Sequence, residues 1–203
     1  MEAGTRKAKT TAQPAHEDED EGEREGERRA PVRICFVCLG NICRSPTAEA
    51  VMKHLVLDDE LRHGAAPGSA PRVAIEVESA GTGSWHAGEL RDRRSRAAGE
   101  RRGIPLGGRA RQFTAADFER FDHVVAMDRQ NLADLRALAP DAASRAKVTL
   151  LRAYEPADPR GGSEADLDVP DPYHGGEDGF DRVFDICLST CRALLARIRQ
   201  AQA

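Results

Sequence analysis

The 203-residue chain has no run of eighteen apolar residues, so no membrane-spanning helix is expected and a membrane partner is not indicated. Its first thirty residues hold no apolar core of the kind a secretory signal needs, and they are too acidic for an organelle-targeting segment. A large net charge is also missing. The chain carries −4, and residues 1–30, with nine acids and six bases, account for −3 of it. The remainder is near neutral, with no strong field to recommend nucleic acid as a partner. No internal repeat is visible. The five cysteines are Cys35, Cys38, Cys43, Cys187 and Cys191; their odd number, without a signal, predicts reduced thiols and a cytoplasmic protein. A pair of Cys-x2-Cys units, as a four-cysteine site would use, and obvious histidine partners are absent. That absence counts against the alternative of another class, a cysteine-based metal or redox-binding module using Cys38, Cys43, Cys187 and Cys191. No metal or other cofactor is expected.

What the chain does have is 40% hydrophobic and 32% charged residues, which suits one globular domain plus a polar excess. The excess sits in residues 1–30, around the run from His16 to Arg29, which reads as a disordered acidic tail. The domain is then 31–203. Val32–Cys38 is apolar and β-branched almost throughout, as a strand covered on both faces should be. Gly40 and Asn41 break it, Pro46 suits a first helical position, and Thr47–Leu57 shows helical apolar spacing. Further strands are expected at 74–79, 122–127 and 147–151. Helices are expected near 91–102 (polar, hence on the surface), between Phe118 and Phe121, at 131–138, and from Phe180 to Ile198. Gly64–Pro71 and a Pro/Gly/Asp-rich stretch at 155–179 read as loops. The alternation predicts an α/β three-layer sandwich, a parallel sheet flanked by helices, with ligands at the carboxyl ends of its strands.

The loop after the first strand is therefore the place to look. Cys38 and Arg44 bracket five residues, and Ser45 follows. A short loop wound around one point aims backbone N–H groups inward, and the helix start adds free N–H groups and a positive dipole end. Arg44 adds a planar fork for two phosphate oxygens. The result is a cradle for a dianion with sulfur at its base, built from Leu39, Gly40, Asn41, Ile42, Cys43 and Ser45. Such surroundings should favour the Cys38 thiolate, with Ser45 donating to it. Gly40 and Asn41 are expected to supply positive φ. A phosphoryl transfer to sulfur needs a proton for its leaving group, hence an acid facing the cradle. Asp166, Asp168 and Asp171 are all in reach by sequence, and all could equally be solvated loop acids.

Here the chain resembles the low-molecular-weight protein tyrosine phosphatases. The shared stretches are Val37–Glu49, Ser79–Gly88, Ala110–Gln112, Met127–Leu132 and Asp171-Pro-Tyr173, spanning about residues 32–198. The resemblance implies a flavodoxin-like fold with a four-stranded parallel sheet. It implies Cys38 as nucleophile, Arg44 as phosphate clamp and Asp171 as general acid, then base, in two displacements through a phosphocysteine. It implies Trp85 and Tyr173 as aromatic cleft walls favouring phosphotyrosine protein substrates. Many relatives carry a second tyrosine where this chain has His174. Two alternatives share the fold. Arginine phosphatases tend to carry Thr where this chain has Ile42, and arsenate reductases use mid-chain cysteines that are absent between Cys43 and Cys187. Cys43 is either a packed thiol or a disulfide partner that rescues oxidised Cys38. A monomer is favoured. No histidine is given a role.

Overall fold

The structure, a computed structural model, describes residues 1, 30–63, 73–155 and 167–202. The acidic tail expected at 1–30, the Gly64–Pro71 loop and Asp166 fall outside the described residues, apart from Met1 and Ala30. Four strands, β1 (Val32–Cys38), β2 (Ile75–Gly81), β3 (His123–Ala126) and β4 (Val148–Leu150), form one parallel sheet in the order β2-β1-β3-β4. The six α-helices among the described residues are α1 (Arg44–His63), α2 (Arg93–Arg101), α3 (Asp117–Arg120), α4 (Arg129–Leu138), α5 (Ala142–Ala146) and α6 (Glu177–Gln202), and a 3-10 turn at Leu151–Tyr154 follows β4. This is the α/β sandwich expected from the sequence.

Alternate residues of β1 point to opposite faces, so one strand feeds two cores. Ile34, Phe36 and Cys38 join the apolar layer of α1, α2 and α6, which includes Met52, Phe184 and Leu194. Cys35 and Val37 face Phe113, Phe118, Phe121 and Leu135 on the other side. Cys35 and Cys38 do have Cys-x2-Cys spacing, but three steps along a strand puts them in different cores. Cys187 and Cys191 are fully buried in the first of these, as expected for packed thiols.

The chain runs from β1 to β2 on one side and then crosses to β3 on the other. The carboxyl end of β1 is thus the switch point where such sheets open a crevice. Helix α1 begins at Arg44, two residues before Pro46, so Pro46 lies third in the helix. Its missing N–H still breaks no intrahelical bond there. Helix α2 is less superficial than its composition suggests: Ser95, Ala98 and Gly99 are buried. A Cβ at Gly99 would lie 2.4 Å from the Ile104 carbonyl oxygen and 2.6 Å from Leu106 Cδ1.

Gly99→Ala is expected to destabilise the fold by about 1–3 kcal/mol through overpacking, although helix propensity alone favours Ala by about 1 kcal/mol. Urea denaturation checks the sign. The buried thiols give a second expectation. Burial raises Cys35, Cys43, Cys187 and Cys191 above the ordinary thiol value of 9.0. Unfolded thiols lose their protons near 9 while folded ones keep them, so the unfolded state binds fewer protons. Stability should then fall as pH rises above about 9, by up to about 1.4 kcal/mol per pH unit for each thiol. A Cys187→Ala, Cys191→Ala variant should show a shallower decline in denaturation midpoint.

Candidate active site

Cys38 is the last residue of β1 and pairs in register with Gly81 at the end of β2. Its Sγ accepts from the Asn41 backbone N–H at 3.2 Å and from the Ser45 hydroxyl at 3.1 Å. The Ser45 proton has a second acceptor in reach, the Ala80 carbonyl at 3.1 Å. A thiolate is the stronger claimant for it, because a charged acceptor roughly doubles the hydrogen bond. Asn41 alone of the two expected residues takes positive φ, at 56°. Gly40 serves by closeness instead: a Cβ there would sit 2.9 Å from the His86 ring. A Cβ on Gly81 would come within 2.8 Å of the Leu39 carbonyl and 3.1 Å of the Asn41 nitrogen, so β2 presses directly on the loop.

The Asn41 amide is fully buried and fully bonded. Its Nδ2 donates to Ser45 Oγ and Ser79 Oγ, each at 2.9 Å. Its Oδ1 accepts from Arg91 Nη1 at 2.7 Å and from the Arg111 backbone N–H at 2.9 Å. Two donors and two lone pairs are the whole capacity of that side chain. Ser79 donates in turn to Glu49 Oε2 at 2.5 Å.

Arg44, only 4% exposed, spans two carboxylates. Its Nη1 donates to Asp128 Oδ2 at 2.6 Å and to the Val169 carbonyl at 3.2 Å, and its Nη2 donates to Asp171 Oδ2 at 2.9 Å. Burial works against the guanidinium charge, but Cys38, Asp171 and Asp128 outweigh it and hold the group above arginine's ordinary value. Asp128 also caps α4, its Oδ1 accepting from the Asn131 N–H at 2.7 Å. Asp171 Oδ1 accepts from the Tyr173 N–H at 3.0 Å, closing a tight turn around Pro172. Asp168 points elsewhere, accepting from the Arg129 N–H at 2.8 Å.

Of these groups, Cys38, Gly40, Arg44 and Asp171 line a cleft of about 310 Å³. Cys38, Ile42, Cys43 and Arg44 are buried at its base, and Trp85 and Tyr173, 61% and 43% exposed, stand at its mouth with Leu39. Trp85 is therefore no core residue. His86 and His174 line the same cleft; His86 Nδ1 pairs with Glu89 at 2.7 Å, and the His174 ring meets Tyr173 edge-on. Arg94 ties the Tyr173 carbonyl to α2 at 3.0 Å and lies 5.4 Å from the centre of its ring. In the sequence alone, Glu49, Arg91 and Asp128 stand without an assigned part. Only Asp128 had a local signal, an N-cap spacing to Asn131. Among the described residues no group of three or more His, Cys, Asp or Glu side chains converges as a metal site would require.

A family model described as low molecular weight phosphotyrosine protein phosphatase matches residues 33–203. The chain belongs to this family. A low molecular weight protein-tyrosine-phosphatase of Streptomyces coelicolor is 47% identical over 168 residues, covering 83% of this chain and 94% of that protein. Among solved structures, a protein tyrosine phosphatase of Entamoeba histolytica superimposes with a TM-score of 0.71 at 34% identity, covering 85% and 99% of the two chains. A Drosophila arginine phosphatase does so with 0.69 at 31% identity, covering 82% and 97%.

Burial pushes the Cys43 thiol up to about 12, so it stays protonated at neutral pH. Cys35, Cys187 and Cys191 are raised by burial too. Iodoacetate at pH 7 is therefore expected to modify Cys38 first and the other four thiols slowly, a selectivity that peptide mapping by mass spectrometry reads directly.

Proposed function

We propose that the protein is a protein tyrosine phosphatase that hydrolyses phosphotyrosine and aryl phosphates through a phosphocysteine. The observation that carries this reading is the convergence on one cleft of Cys38 Sγ, with two donors aimed at it, the Arg44 fork and the Asp171 carboxyl. In the first step Cys38 thiolate attacks phosphorus in line, the bond to the aryl oxygen breaks, and Asp171 gives that oxygen its proton. In the second, Asp171 takes a proton from water as its oxygen attacks phosphorus, and Cys38 leaves as thiolate with the Ser45 hydroxyl supporting it. The N–H groups of the loop other than that of Asn41, together with the α1 start, bind the phosphoryl oxygens, and Arg44 shifts one donor from a carboxylate to them. No step calls for a metal.

Specificity follows from depth and rim. Sulfur at the base of the cleft is reached by a phosphate on a long aryl stem, which Trp85 and Tyr173 flank. Arginine phosphatase activity is the second reading, favoured by the likeness to the Drosophila protein. Ile42, an apolar side chain lining the cleft, favours the ester over a charged guanidinium. Five free thiols fit a reducing cytoplasm. No described helix is long and apolar enough to cross a membrane.

Hydrolysis of p-nitrophenyl phosphate tests the assignment. Cys38→Ser is expected to abolish turnover, and Asp171→Ala to lower kcat by about 100-fold or more. Full activity without Cys38 would sink the mechanism; an Asp171→Ala defect below threefold would remove the acid. Faster turnover of phosphoarginine than phosphotyrosine peptides would reverse the specificity.

A further inference from the structure

Arg91 lies behind the loop rather than in the cleft, and it is 5% exposed although it opens the most arginine-rich stretch of the chain. Its Nη1 donates to the Asn41 carbonyl at 2.6 Å and to Asn41 Oδ1 at 2.7 Å. Its Nη2 reaches Ser79 Oγ at 3.3 Å and Glu49 Oε2 at 3.4 Å, and its Nε donates to the Gly107 carbonyl at 3.2 Å. The next residue adds a main-chain latch, the Asp92 N–H donating to the Ile42 carbonyl at 2.9 Å. One guanidinium thus grips both the backbone and the side chain of the one loop residue in the left-handed region.

This costs solvation. Burial pulls Arg91 below arginine's ordinary value, and the Glu49 carboxylate offsets part of that. A desolvated arginine away from the substrate cleft is an expensive way to fill space, since an apolar side chain of the same volume would do so without desolvating a charge. What it supplies and an apolar side chain does not is a planar set of donors at fixed angles.

We propose that Arg91 is a positioning residue for the phosphate cradle: it holds Asn41 in its left-handed turn and so keeps the Asn41 N–H on Cys38 Sγ. This rests on reading Cys38 as the nucleophile. Arg91 touches neither substrate nor sulfur and acts through Asn41. Without it the Asn41 turn relaxes, the thiolate loses a donor and the phosphoryl oxygens meet a misaligned loop.

The test measures kcat and KM for p-nitrophenyl phosphate, and the pH midpoint of Cys38 carboxymethylation by iodoacetate, in the full chain. Parent, Arg91→Met, Arg91→Lys, Asn41→Ala and Arg91→Met with Asn41→Ala are compared, with thermal melts as a fold control. Arg91→Met is expected to lower kcat by about 10- to 100-fold and to raise the carboxymethylation midpoint, because a lost donor favours the thiol. Arg91→Lys should recover part of both. The double variant should be no worse than Asn41→Ala alone, as for residues acting through one another. A folded Arg91→Met with kcat within twofold of the parent and an unmoved midpoint overturns the proposal, as do additive losses in the double variant. If Arg91→Met does not fold, Arg91→Lys decides by the same two readouts. Failure of the functional reading looks different: a parent inactive on the ester, with the Cys38 midpoint still moving when Arg91 is changed.

Discussion

A φ of 56° at Asn41 turns the chain inward after Cys38, and four side-chain hydrogen bonds hold it there. The left-handed region costs an L-residue roughly 1–2 kcal/mol, less for Asn. Here the bonds that offset it come from four separate segments: the α1 start at Ser45, the end of β2 at Ser79, and the stretches around Arg91 and Arg111. The pairing of Cys38 with Gly81 brings these together. The register of two strands, an ordinary matter of apolar alternation, thereby sets where a backbone N–H points. A one-residue slip would exchange the faces of β1 and dismantle the cradle as well as the core.

Above this rigid layer lies a charged one. Arg44 is buried, yet stays cationic because Asp128, Asp171 and the sulfur surround it. Asp128 comes from the start of α4 and Asp171 from the turn before α6, 127 residues after Arg44. Cys38 and Arg44 are local to one strand-loop-helix unit, whereas the meeting of Asp171 with Arg44 depends on closure of the whole domain. The Arg94 contact to Tyr173 fastens that distant turn to α2.

Much of this was legible in the sequence. β1 is the seven residues expected, because a β-branched apolar run interrupted only by Arg33, after Pro31 and before the Gly40-Asn41 break, leaves little choice of boundary. Cys38, Arg44, Asp171, Trp85 and Tyr173 line one cleft, which the strand-loop-helix reading and the family resemblance together anticipated. The supports were not legible. Glu49 and Arg91 look like any charged surface residues until the fold shows Arg91 buried and Glu49 half-buried beside it, since local sequence carries no mark of a long-range hydrogen bond. Helix α5 was missed because five polar and small residues, Ala142–Ala146, show no periodicity. The charge of α2 concealed the tight seat of Gly99 for the same reason.

Trp85 lies over Gly83, where a Cβ would meet its ring at 2.2 Å, and keeps 61% of its surface in solvent. It contributes to the mouth of the cleft and almost nothing to the apolar interior. An exchange there changes the shape of the cleft mouth and removes little buried apolar surface from the domain. The cradle has less freedom, because Asn41, Arg44 and Ser45 are each bonded to several other residues. Substitution therefore meets two unequal materials in this molecule: a base in which one change disturbs several hydrogen bonds at once, and a rim in which one change reshapes only the opening of the cleft.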